Sequence, residues 1–112
     1  MKDDRVYLQH ILEAILSIEE YTTGGRDAFL QQKMVRDAVL RNLEVIGEAV
    51  KNLSENVRVS CPSVPWQKVA GLRDVLIHQY FGVNPELVWQ ITESRLPELK
   101  QRITELLNTP LR

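Results

Sequence analysis

M-V-R-D-A-V-L-R-N-L-E-V-I-G-E-A-V-K-N-L, residues 34–53, decides the fold. Apolar side chains recur three and four positions apart through Val35, Ala38, Val39, Leu43, Ile46, Ala49, Val50 and Leu53, with Met34 and Asn42 on the same side. That spacing is one face of an amphipathic helix. Followed backwards, the stripe takes in Leu30 and reaches Asp27, a good N-cap, with a bend expected near Gln31 or Gln32. At about 1.5 Å per residue such a helix approaches ~40 Å and spans a small domain. Gly47 inside it costs ~1 kcal/mol relative to alanine, so its presence signals a close backbone approach, by a neighbouring helix in preference to another subunit.

Towards the N-terminus a second long helix runs from about Asp3 to Tyr21. Asp3 and Asp4 suit its positive end, and Leu8, Ile11, Leu12, Ile15, Leu16 and Ile18 form its apolar stripe. Thr22, Thr23, Gly24 and Gly25 end it. The two long helices are expected to pack antiparallel as a scaffold. Beyond Leu53, Ser54 to Val59 form a short turn and Ser60 to Pro65 a loop. A third helix runs from Trp66 to about Phe81, with Pro65 suited to its first turn and Gly82 to a left-handed close. Asn84 and Pro85 are an N-cap and first-turn pair that start a last helical stretch to about Leu107. Pro97 must kink or split that stretch, because it has no N–H for the carbonyl of Glu93, yet Leu96, Leu99, Ile103 and Leu106 resume an apolar seam. Nothing reads as a strand pair. The expected fold is all-α: one domain over residues 1–112, with two long antiparallel helices and shorter C-terminal ones.

Composition narrows the function. A chain of 112 residues supports one core, and 44% hydrophobic with 26% charged residues is ordinary for a folded protein. Fourteen basic and 15 acidic residues leave a net charge of −1, which argues against broad electrostatic binding of nucleic acid, so any RNA contact must be local. Cys61 is the one cysteine, which rules out an internal disulfide and is read as an inert thiol. Charges interrupt every apolar run well short of the ~20 residues that cross a bilayer, and no leader pattern follows Met1, so a cytoplasmic protein is expected. No metal or other cofactor is expected.

Residues 73–80 read R-D-V-L-I-H-Q-Y. Cleaving RNA without a metal needs a proton acceptor for the 2′-hydroxyl, a donor for the leaving 5′-oxygen and positive charge for the phosphorane between them. His78 titrates near neutrality and suits the proton transfers, while the planar guanidinium of Arg73 matches phosphate oxygens. At ~100° per residue the two lie about 140° apart around the helix, so one chain does not bring them together. Two copies about a two-fold axis supply a composite cleft. Arg73, Ile77 and Tyr80 share a face, which sets the phenol near whatever Arg73 binds. The plainer account pairs Arg73 with nearby carboxylates, sets His78 at a helix C-terminus and makes Tyr80 a core aromatic with a wet tip.

Other side chains carry less. His10 has no Cys or His at metal-ligand spacing and reads as a boundary residue. Glu44 and Glu48 flank Gly47 and either line a cleft or form a solvated face, the second being favoured. Arg41, Lys51 and Lys68 extend an RNA path or are simply solvated, and Trp66 and Trp89 read as core anchors.

The R-x4-H-x-Y pattern at Arg73, His78 and Tyr80 resembles the motif of the HepT family, bacterial toxins of the HEPN (higher eukaryotes and prokaryotes nucleotide-binding) superfamily. The likeness extends over residues 37–54, 64–83 and 88–99 and covers nearly the whole chain. The resemblance implies a HEPN-like helical bundle that dimerises, with the Arg73 and His78 motifs of two chains facing each other across an RNA-cleaving cleft. It implies a toxin of a type VII-like toxin–antitoxin pair. Its partner is then a minimal nucleotidyltransferase antitoxin that adenylylates the motif tyrosine, here Tyr80, and so blocks cleavage. Asp74 beside Arg73 puts a carboxylate near the proposed phosphate site, where it either orients Arg73 or weakens RNA binding. The competing class is a non-catalytic binding or structural subunit of a nucleotidyltransferase, and a plain helical dimerisation protein is a third.

Overall fold

Asp3 accepts a hydrogen bond from the Arg5 amide at 2.9 Å and so caps the first helix, α1 (Asp4–Tyr21). The computed structural model describes residues 3–78 and 84–109, with the main chain alone at 73 and 75–78. Asp4 stands in the first turn, where its charge favours the helix start as expected, and it also reaches across the fold. Its carboxylate accepts from the Ser54 amide at 2.8 Å and the Ser54 hydroxyl at 2.7 Å. Ser54 itself caps α4 (Glu55–Ser60), which follows α3 (Lys33–Lys51). The start of α1 therefore meets the end of α3, and the two pack antiparallel as expected. The last helix, α7 (Leu96–Asn108), runs antiparallel to α1 on its other side. Arg5 donates to the Leu107 carbonyl at 2.9 Å at one end, and Lys100 pairs with Glu19 at 3.0 Å at the other.

The segment expected as one helix from Asp27 to Leu53 is two. α2 (Gly25–Gln31) and α3 are separated at Gln32, whose extended backbone (φ −103°, ψ 105°) places the break where a bend was foreseen. Asp27 is not the N-cap. The helix starts two residues earlier, because the Thr22–Gly25 turn needs positive φ and Gly25 supplies it at 87°. Asp27 sits in the first turn, where its charge still favours the helix dipole. At the far end of α2 the Arg36 guanidinium donates to the Phe29 and Leu30 carbonyls, which would otherwise lack partners. The split leaves α3 with 19 residues, about 28 Å rather than ~40 Å. Gly25→Ala is expected to lower stability by about 1–2 kcal/mol, since a Cβ at that φ crowds the following carbonyl, measurable by urea unfolding.

One contiguous core fills the space between α1, α3 and α7, built from Leu8, Ile11, Ile15 and Ile18 against Val39, Leu43, Ile46 and Val50, with Ile103 closing it. Two members of the expected stripes do not join it. Leu16 is 45% exposed and Met34, in the first turn of α3 beyond the break, 83%. Gly47 is buried on α3, which packs mainly on α1 and α5 (Trp66–His78) and less on α2.

Asn84 caps α6 (Pro85–Ser94) by accepting from the Glu86 amide at 2.9 Å, with Pro85 in the first turn as expected. Pro97 does split the last stretch, but the break falls at Arg95, so that Pro97 lies in the first turn of α7 where its missing N–H removes no helical bond. α6 rests on α2. Phe29 and Trp89 pack with ring centroids 5.4 Å apart, and Arg26 grips Glu86 through two nitrogens. Among the described residues there are seven helices and no strand, so the fold class is all-α, and no helix is long and apolar enough to cross a membrane.

Candidate active site

α5 carries the candidate chemistry, and its start is fixed by Trp66. The buried indole donates to the Cys61 carbonyl at 3.0 Å, and the Val69 amide donates to the Pro65 carbonyl, opening the helical ladder. Cys61 is half-buried in that loop with Ser63 at 3.8 Å. From this anchor the helix lies along α3 and passes through Arg73 and His78. The five-residue interval amounts to ~7.5 Å of rise and about 140° of turn, so the main-chain positions fit the sequence geometry. Tyr80 and Gly82 lie outside the described residues.

Asp74 is met by Lys51 of α3, whose ammonium lies 3.2 Å from each carboxylate oxygen. The two side chains are 51% and 37% exposed, so the pair adds under about 1 kcal/mol of stability. Its electrostatic effect matters more. A bare carboxylate beside Arg73 opposes a phosphate, and the Lys51 ammonium offsets that charge. Lys51 is thus tied to α5 rather than simply solvated. Arg41 likewise pairs with Glu44, at 3.7 Å.

Lys68 is exposed on α5 and lines a groove of about 660 Å³ bounded by α3, α5, α6 and α7. The floor is aliphatic, including Leu43, Ile46, Leu72 and Leu99, and the rim carries Arg95 and Arg102 along with Glu98. Sequence reasoning missed both arginines. They come from a helix junction and a helix some thirty residues from Lys68, and no local spacing links them. Arg102 hydrogen-bonds Glu105 at 2.7 Å, and that bond with the carboxylate's charge raises the guanidinium pKa above its usual value. Glu86 does the same to Arg26.

A shallower hollow of about 300 Å³ lies between α1 and α3, lined by Tyr7, His10, Arg41, Glu44 and Glu48 among others. Glu44 and Glu48 therefore line a cleft rather than forming a wholly solvated face. His10 is exposed and meets Tyr7 edge-on at 6.2 Å, as a boundary residue does. Among the described residues no group of three or more His, Cys, Asp or Glu side chains is arranged to hold a metal ion.

A bundle of short and medium helices, with an Arg and a His one and a half turns apart on a helix backed by α3, is the class of protein that fold and site define. Residues 11–106 match the family model described as ribonuclease HepT-like, and the chain belongs to that family. A Methanocaldococcus jannaschii protein named as a gamma-glutamylcyclotransferase and candidate RNase is 44% identical over 107 residues; the match covers 95% of this chain and 48% of that protein, about half its length. A candidate RNase of Caldanaerobacter subterraneus subsp. tengcongensis is 42% identical over 108 residues, covering 96% of each chain. A protein of Thermococcus cleftensis named as a probable ribonuclease HepT is 42% identical over 101 residues, covering 89% of this chain and 92% of that one. No solved structure matches the chain.

Proposed function

We propose that this protein is a metal-independent endoribonuclease whose active cleft is built by two copies of the chain, Arg73 of one copy acting with His78 of the other. The observation that carries the reading is the placement of both residues on α5, 140° apart by helical geometry, in a chain of the HepT-like ribonuclease family. Neutral His78 takes the proton of a ribose 2′-hydroxyl as that oxygen attacks the adjacent phosphorus. The phosphorane's charge is held by the guanidinium fork of Arg73. The protonated imidazole then gives its proton to the departing 5′-oxygen, leaving a 2′,3′-cyclic phosphate and a 5′-hydroxyl. Protons and electrons balance without a metal, so purified protein should cut RNA in EDTA. Uncut RNA under those conditions rejects the reading.

The same site offers a switch. Tyr80 lies seven residues after Arg73 in the sequence, and an AMP group on its hydroxyl brings a phosphate's charge and a nucleoside's bulk to the motif that binds RNA. The chain is then the toxin of a toxin–antitoxin pair, and its antitoxin is a minimal nucleotidyltransferase. Coexpression with an active partner of that kind should yield a tryptic peptide carrying AMP on Tyr80 and a protein that no longer cuts RNA. Tyr80→Phe should stay unmodified and active in the partner's presence; an unmodified wild-type peptide beside an active partner rejects the switch.

A further inference from the structure

The chain's net charge is −1, yet among the described residues the groove between α3, α5, α6 and α7 gathers three cations against one carboxylate. Arg102 is partly committed to Glu105. Lys68 and Arg95 are exposed, and neither is drawn into an ion pair by another described residue. The first turn of α7, at Leu96 and Glu98, also borders the groove and adds the partial positive charge of a helix start. An apolar floor under a cationic rim is complementary to a ligand with an anionic backbone and flat, poorly solvated groups.

We propose that this groove is an accessory RNA-binding surface that seats the single strand to one side of the cleaved phosphodiester, with Lys68 and Arg95 on backbone phosphates and the Leu72–Leu99 floor against bases. The proposal rests on the ribonuclease reading above. Placement along α5 supports it: Lys68 and Leu72 belong to that helix, and Lys68 precedes Arg73 by ~7.5 Å of rise and about 140° of turn, so a strand seated in the groove curves round the helix to reach the guanidinium. Charge supports it too. The described lining of the hollow on the α1 side of α3 has two carboxylates, Glu44 and Glu48, and one guanidinium, Arg41, which pairs with Glu44, so by charge count a phosphate backbone is drawn to the groove in preference to the hollow. The volume lies in the range of sites for ligand-sized groups, which suits bases of a short strand. Among the described residues no aromatic side chain lines the groove, so those residues hold bases by apolar contact and not by stacking, and little sequence preference is expected from them.

The test separates this surface from the chemistry by using His78→Ala, which should bind without cutting. A labelled oligouridylate is titrated at several salt concentrations against that protein with and without Lys68→Ala and Arg95→Ala. Each phosphate contact on a single strand contributes about 0.7 to the slope of log affinity against log salt, so the pair of substitutions should reduce the slope by about 1.4. Glu98→Gln, which removes the rim's one acid, should tighten binding. In the otherwise native protein the same two alanines should raise KM for long RNA, leave kcat unchanged and leave a dinucleotide substrate unaffected. An unchanged slope in folded variants overturns the groove, as does displacement by an acidic amphipathic peptide with no RNA bound there. A lost slope in a protein that never cuts RNA supports the groove and rejects only the nuclease reading.

Discussion

His78→Ala lowers the RNA cleavage rate by about 10²- to 10⁴-fold, the usual contribution of a positioned general acid–base, with little change in unfolding temperature. In the proposed mechanism the imidazole carries both proton transfers, so nothing else in the motif would replace it. Arg73→Ala should be comparably damaging, whereas Arg73→Lys keeps the charge but loses the planar fork and should retain part of the rate. The two alanine variants also test the composite cleft. If Arg73 and His78 act across two chains, a mixed dimer of Arg73→Ala and His78→Ala still holds one complete Arg–His pair, contributed by different copies. Mixing two inactive proteins should therefore restore cleavage. A mixture as inactive as its components means that each chain uses its own pair, which the 140° separation on α5 makes unfavourable, or that the motif is not catalytic.

The sequence made the helices legible where local chemistry alone sets them. The Asn84–Pro85 pair caps as expected, because capping depends on residues within one turn, and the acidic start of α1 was legible for the same reason, with Asp3 proving to be its cap and Asp4 lying in its first turn. The bend at Gln32 was also legible, but its completeness was not. The apolar stripe continues through it, and only the positive-φ start at Gly25 and the Arg36 contacts to α2 carbonyls turn a bend into a break. The positions of Arg73 and His78 on one helix were legible for the same local reason. What surrounds them was not. Lys51 opposite Asp74 is 23 residues away and depends on how α3 and α5 pack, and the Lys68, Arg95 and Arg102 rim depends on four helices meeting. A stripe records that a helix has an inner face, yet it does not say which of its ends overhangs, and so it misplaced Met34 and Leu16.

Phe29→Ala should lower stability by about 3–5 kcal/mol, a large share of the roughly 5–15 kcal/mol available to a domain of this size. The residue is 1% exposed and is the buried side chain of α2, a helix of seven residues. A helix that short does not persist on its own, since isolated helices below ~12–15 residues are marginal, so packing of the Phe29 ring holds α2 in place. Through its contact with Trp89 it also holds α6. Arg26 with Glu86 also links these helices, but the pair is 50% and 38% exposed and screened by water, so Arg26→Ala should cost far less than loss of the Phe29 ring. Thermal and urea unfolding of the two variants should therefore rank burial well above charge at the α2–α6 contact. A double-mutant cycle with Trp89→Ala should return a coupling of about 0.5–1.5 kcal/mol for the ring pair. If Arg26→Ala proves the more damaging change, α6 is held by its ion pair, and the short helix is a passenger on the fold rather than a strut beneath α6.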